Sequence, residues 1–228
     1  MCALPVAAES PWRAGLRSAR ANVVPGLILQ AGALALVLAY YQHAPTRELV
    51  GRIAAARHEI GVIFSVLSTG FFGGLLPFVI LRLQPSTRSR YTWAQGAVIT
   101  AFWCTKGFEV DLWYRVLAHV WGEGHGFATI AIKTFCDQFV YCPLWAVPTT
   151  ALVYEWTERQ FDSGEIAREL RAGGWYRLKI LPLLISNLGV WLPSVCIIYT
   201  LPTPLQLPLQ NLVLCFFTLI VAHQVKRA

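Results

Sequence analysis

A lysine and a carboxylate stand one helical turn apart, with an amide beside the acid and a proline downstream, in Lys133-x-x-x-Asp137-Gln138-x-x-x-x-Pro143. They interrupt an otherwise apolar run from Thr129 to Tyr154. Ionisable groups in such a run are costly unless they face a protein interior or water, so the cluster reads as a polar pathway or a buried ion pair. At i and i+4, Lys133 and Asp137 can neutralise each other, although lysine preceding the carboxylate is the weaker order against the helix dipole. Pro143 and Pro148 remove backbone donors and free the carbonyls of positions 139 and 144, which neighbouring helices or water must satisfy. A second charged group lies upstream: Lys106 and Glu109 are three residues apart, and Asp111 and Arg115 four, so both pairs can close on a helix. The latter pair, with Trp113 and Tyr114 between its members, can equally sit solvated at a membrane interface as part of an aromatic belt. Downstream, Asn187-x-x-x-Trp191-Leu-Pro193 offers an amide for bonding across helices and a proline for a kink.

Signals for other chemistry are weak. The histidines, His43, His58, His119, His125 and His223, fall mostly at the ends of apolar runs, with no HExxH and no metal-ligand spacing, so no metal, cofactor or catalytic residue is predicted. Gly70-x-x-Gly73-Gly74 suits close helix packing better than phosphate binding, since no Lys-Ser or Lys-Thr follows it. Cys104, Cys136, Cys142, Cys196 and Cys215 lie in apolar runs and read as buried thiols; Cys2 precedes them.

These groups need helices to hold them. Of 228 residues, 56% are hydrophobic and only 14% charged, which places the chain among multispan membrane proteins. Six apolar runs recur: Val23 to Tyr41, Ile60 to Leu81, Tyr91 to about Val120, Thr129 to Tyr154, Ile180 to about Thr200, and Leu205 to Val221. Each is long enough to cross roughly 30 Å of hydrocarbon. The expected fold is therefore all-α: a polytopic transmembrane helical bundle of about six spans, with short interfacial amphipathic helices, forming a single membrane domain over 1–228.

The net charge of +7 follows the same topology. With six spans, Arg13, Arg17, Arg20, Arg82, Arg88, Arg90, Arg159, Arg168, Arg171, Arg177, Lys179, Lys226 and Arg227 share one side, and only Arg47, Arg52 and Arg57 the other. That bias predicts both termini on the cytoplasmic side and argues against nucleic-acid binding. The basic segment 1–22 and the first run read as a retained helix, since no Ala-x-Ala-like site follows Tyr41 before Pro45. In the polar connector 155–179, Asp162-Ser-Gly-Glu165 has capping-box spacing and Gly173-Gly174 can end the helix, which predicts a short surface helix. Thr46 to Glu59 has similar amphipathic character. The prolines of Leu201 to Pro208 predict a turn between the last two spans.

Trp113-Tyr114-x-x-Leu117, the Lys133 to Pro143 element, Asn187-x-x-x-Trp191 and Pro202 together resemble the Mpv-seventeen and peroxisomal membrane protein family. The resemblance covers about Gly107 to the C-terminus, with a fainter match over Trp12 to Tyr41. Departures occur: Gly107-Phe108 stands where the family has Gly-Pro, Trp191-Leu-Pro193 where it has Trp-Pro, and Ile60 to Leu81 looks inserted. A divergent, plausibly bacterial member is what this implies, in a plasma membrane if bacterial and in a mitochondrial inner or peroxisomal membrane if eukaryotic. The resemblance implies no enzymatic activity, and a role in the passage of small solutes.

The leading expectation is thus a pore or pathway for small solutes or ions, with Lys133, Asp137, Gln138, Lys106 and Glu109 lining it. Its partners are the lipid bilayer and the permeant, and a homo-oligomer is compatible with it. The runner-up is a non-conducting scaffold or assembly factor whose buried charges lock helix packing. The third is an intramembrane enzyme using Asp137 or Glu109 as a base.

Overall fold

The computed structural model describes residues 10–85, 88 and 91–224, with side chains described as far as Thr218; Cys2, Arg90, His223, Lys226 and Arg227, named above, fall outside what is described of backbone or side chain. Among the described residues every regular element is helical. In chain order these are α1 (Pro11–Ala21), α2 (Val23–Gln42), α3 (Ala44–Ile60), α4 (Val62–Thr69), α5 (Leu76–Leu83), α6 (Trp93–Trp121), α7 (Phe127–Phe135), α8 (Val147–Glu158), α9 (Ser163–Ala172), α10 (Leu181–Ile198) and α11 (Thr203–Gln224).

Three π-helical stretches, Gly70–Leu75, Cys136–Ala146 and Tyr176–Ile180, join α4 to α5, α7 to α8, and lead into α10. Each is followed directly by an α-helix whose second residue is proline: Pro77, Pro148 and Pro182. A proline in a running helix lacks its N–H and collides with the carbonyl four residues back. Widening the preceding turn relieves the collision and lets the rod continue, so proline here produces a π-bulge rather than a break. The expected turn over Leu201 to Pro208 is corrected in the same spirit. Helix α11 already begins at Thr203, with Pro204 in its first turn, where the N–H has no intrahelical partner to lose, and Pro208 inside it.

Consecutive rods alternate in direction. Helix α2 runs parallel to α10, with Gln30 Nε2 donating to the Val190 carbonyl (3.1 Å) and Tyr41 Oη to that of Thr200 (2.6 Å). The rod Val62–Leu83 is antiparallel to α6 and parallel to α11, where Thr69 Oγ1 donates to Asn211 Oδ1 at 2.9 Å. The Phe127–Glu158 rod returns along α6, with Trp103 Nε1 to Tyr154 Oη at 3.0 Å and Gln95 Nε2 to the Thr157 carbonyl at 2.7 Å.

Three of these helices are long and apolar enough to cross a membrane: Val23–Gln42, Val62–Leu83 and Tyr176–Ile198. Helix α6 and the Phe127–Glu158 rod correspond to two more of the expected runs but carry the ionisable side chains, and α11 carries Gln206, Gln210 and Asn211. The core gathers at the end of the bundle near the α10–α11 turn, where Ile198, Tyr199, Leu201, Leu205 and Leu207 are buried beneath α3 and against Tyr114 and Leu117 of α6.

The α6 and Val62–Leu83 contact depends on glycine. A Cβ on Gly74 would come within 2.6 Å of Thr100 Cα, and one on Gly107 would strike the Ser65 carbonyl oxygen. Because both obstacles are backbone, neither can yield by a rotamer change. Gly74→Ala is therefore expected to cost about 1–3 kcal/mol by overpacking. Gly32→Ala, where a Cβ meets nothing within 4 Å, should be neutral or gain up to about 1 kcal/mol of helix propensity. Thermal denaturation of both variants in detergent checks this; equal shifts would contradict the close packing.

The connector folds as α9. Asp162 Oδ1 accepts from the amides of Gly164 (2.8 Å) and Glu165 (3.1 Å), and Gly173 ends the helix at φ 78°, a conformation that favours glycine. Glu169 ties it to the bundle through Lys179 Nζ (2.5 Å) and Arg159. Those two hydrogen bonds, Lys179 first, hold the Glu169 carboxyl below its ordinary range.

Candidate functional site

Lys133 and Asp137 are both buried, at 2% and 5% exposure, but they do not pair with each other. The Asp137 carboxylate instead accepts from Tyr199 Oη at 3.2 Å, across to the end of α10. The rod widens at Cys136, between the two residues, so the α-helical i,i+4 geometry assumed from the spacing is not kept. Lys133 Nζ makes no hydrogen bond or ion pair with any described residue. It lies 6.0 Å from the Tyr199 ring centroid, and Glu123, in the α6–α7 loop, is the carboxylate in electrostatic range.

Around this pair the hydrogen bonding is incomplete. Gln138 Nε2 meets Cys142 Sγ at 3.7 Å, the Gln138 and Trp113 side chains lie close to the Asp137 carboxylate, and Gln138 Oε1 and Trp113 Nε1 are buried without a well-formed hydrogen bond among the described residues. Tyr199 links the cluster to α6 through its edge-on contact with Tyr114 (5.5 Å), whose hydroxyl bonds Gln210. Trp113 stacks on Tyr141 at 5.0 Å.

Lys106 and Glu109 do close, as their spacing predicts. Lys106 Nζ sits 2.8 and 3.1 Å from the Glu109 oxygens and 2.9 Å from Thr149 Oγ1, with the Phe102 and Trp145 rings at 5.5 and 6.0 Å. Tyr141 Oη completes the group by donating to Glu109. The backbone around the prolines is also served: Thr149 and Thr150 hydroxyls take the Trp145 and Ala146 carbonyls, and Tyr176 Oη takes that of Pro143 (3.0 Å).

Asp111 is 2% exposed, so the interfacial, solvated reading of Asp111 and Arg115 does not hold. Besides Arg115 Nε (2.7 Å), it accepts from Ser65 Oγ (3.0 Å) and Arg57, which also donates to the Thr203 carbonyl at 2.8 Å. Arg57 was not expected in the site. Its signal was nonetheless present: Val50, Ala54 and Arg57 share one helical stripe at i, i+4 and i+7, and Val50 and Ala54 pack on the core. Nothing in the sequence pointed to Ser65 or Thr149.

The remaining motif residues are structural in position. Leu117 is buried, Trp191 meets Phe217 edge-on at 6.1 Å, Asn187 lies beside Cys142, Pro193 is inside α10, and Pro202 sits in the α10–α11 turn. Among the described residues no three His, Cys, Asp or Glu side chains converge on a metal-sized point.

The fold and these clusters define a class: an all-helical protein with three helices able to cross a membrane and ionisable side chains buried between its rods. No protein-family model matches the chain, and no curated protein or solved structure matches it.

Proposed function

We propose that the chain is a six-span integral membrane protein that forms or modulates a pathway for small solutes or ions, with Lys133, Asp137 and Gln138 lining it. One observation carries this reading. Gln138 Oε1 is buried without a hydrogen bond among the described residues, Lys133 Nζ has neither a hydrogen bond nor an ion pair among them, and Asp137 has one well-formed bond, from Tyr199 at 3.2 Å, with Trp113 and Gln138 close by. In a dry interior each unpartnered group costs about 1–3 kcal/mol or more, a cost that water or a polar permeant would remove. The alternating direction of the six rods suits a six-span bundle. The charge bias puts both termini on the cytoplasmic side and the α6–α7 loop, with Glu123, at the opposite mouth. The resemblance to the Mpv-seventeen family agrees in kind.

Solute release from liposomes tests it. Wild type is expected to release small solutes, and Asp137→Asn and Lys133→Met each to change the rate or the charge preference severalfold while remaining folded. Release no faster than from empty vesicles, with the protein folded and inserted, would sink the pathway.

A second reading, a non-conducting scaffold, is favoured by the complete pairing of Lys106 with Glu109 and of Asp111 with Arg57. It expects Asp137→Asn to alter folding and leave vesicle permeability untouched.

A further inference from the structure

A cleft of about 470 Å³ opens on the side of the bundle, with α3 as its roof, α2 and α4 as its sides and α11 as its back wall. Leu36, Ile53, Phe64 and Leu212 are among its apolar walls, and Ser68 and Asn211 at the back already bond each other at 3.0 Å. None of Lys106, Glu109, Lys133 or Asp137 lines it, so it is separate from the polar cluster. Its size is that of a small-molecule site, yet its walls offer a polar ligand almost nothing.

The two sides belong to helices apolar enough to span a membrane, and the neighbouring residues Leu34 and Leu38 on α2 and Ile63 and Leu67 on α4 are exposed. In a bilayer such a mouth faces hydrocarbon. The charged group of the lining is Arg52, on the roof helix, where its guanidinium is largely exposed and gives one 2.9 Å contact to Glu48. A guanidinium has five donors in a planar fork that matches phosphate, and one carboxylate oxygen leaves most of them free.

We infer that the groove beneath α3 seats one acyl chain of a bilayer phospholipid, whose phosphate is held by Arg52. Apolar walls, a mouth between spanning helices and a basic group at the rim together fit an amphiphile with an anionic head. Glu48 competes with the phosphate for Arg52, so it tunes the affinity downward. The site is independent of whether the polar cluster conducts.

The test uses the whole protein, reconstituted in vesicles containing phosphatidylglycerol and diacylglycerol of identical chains, extracted in mild detergent and analysed by native mass spectrometry. Wild type is expected to retain one phosphatidylglycerol per chain, about tenfold over diacylglycerol, the ratio a charge-assisted contact supplies. Arg52→Ala should abolish that preference, Glu48→Gln should increase it, and Ala56→Trp, which fills the groove, should lose both lipids. Retention by Ala56→Trp equal to wild type, or no retained lipid in wild type, overturns the assignment. Should Ala56→Trp fail to fold, Arg52→Ala decides by itself, since its side chain is exposed; an unchanged preference there overturns the phosphate contact.

Discussion

Asp111→Ala is expected to destabilise the protein by about 3–5 kcal/mol, the cost of leaving a buried charge without its counter-ion. The orphan is Arg57, 5% exposed, which donates to Asp111 alongside Ser65 and Arg115. Arg57 also holds the Thr203 carbonyl at 2.8 Å, so losing its orientation loosens α3 from the start of α11 as well as from α6. Arg115→Ala is the matched control. It removes a bond to the same carboxylate, but from a side chain 57% exposed, and exposed pairs contribute about 0–1 kcal/mol. Replacing both buried partners, as Arg57→Met with Asp111→Leu, should recover most of the loss because no charge is left uncompensated. Denaturation of the four proteins in mixed micelles measures the differences. Equal losses for Asp111→Ala and Arg115→Ala would show that the buried pair is not what fixes α3.

The positions of the rods were readable because a membrane run is a one-dimensional signal: length, apolarity and the prolines at its borders lie in consecutive residues. Helix α9 was readable for the same reason, since Asp162 and Gly173 act within a few residues of themselves. What the sequence did not disclose is what distance decides. The spacing of Lys133 and Asp137 is correct for a pair on an α-helix, yet the turn between them is widened to accommodate proline further along, and Tyr199 arrives from a helix 62 positions away. Prolines were legible as disruptions but not as π-bulges, because a widened turn rests on groups distant in sequence, as where the Tyr176 hydroxyl donates to the Pro143 carbonyl. Arg57 counted as a loop charge in the topology, although the stripe it shares with Val50 and Ala54 turns it inward. Sidedness statistics treat every arginine alike; a helix face does not.

Glu109→Leu is the second large effect. Lys106, 4% exposed, would keep Thr149 Oγ1 and the rings of Phe102 and Trp145 but lose both carboxylate contacts, and Tyr141 would lose its acceptor. A loss of about 3–5 kcal/mol is expected, comparable with Asp111→Ala. Adding Lys106→Met should recover most of it, leaving the Tyr141 hydroxyl unpaired at about 1–3 kcal/mol, and Tyr141→Phe should recover the rest. Coupling between the changes, read from the full cycle of single and multiple variants, is the quantity that identifies a closed group of this kind. The same proteins separate the two readings of the buried charges. A triple variant that folds and releases solute like wild type assigns Lys106 and Glu109 to packing and leaves the pathway to Lys133 and Asp137. One that folds but no longer releases solute moves the pathway onto α6, because only a charge that the permeant meets can be dispensable for folding and required for passage.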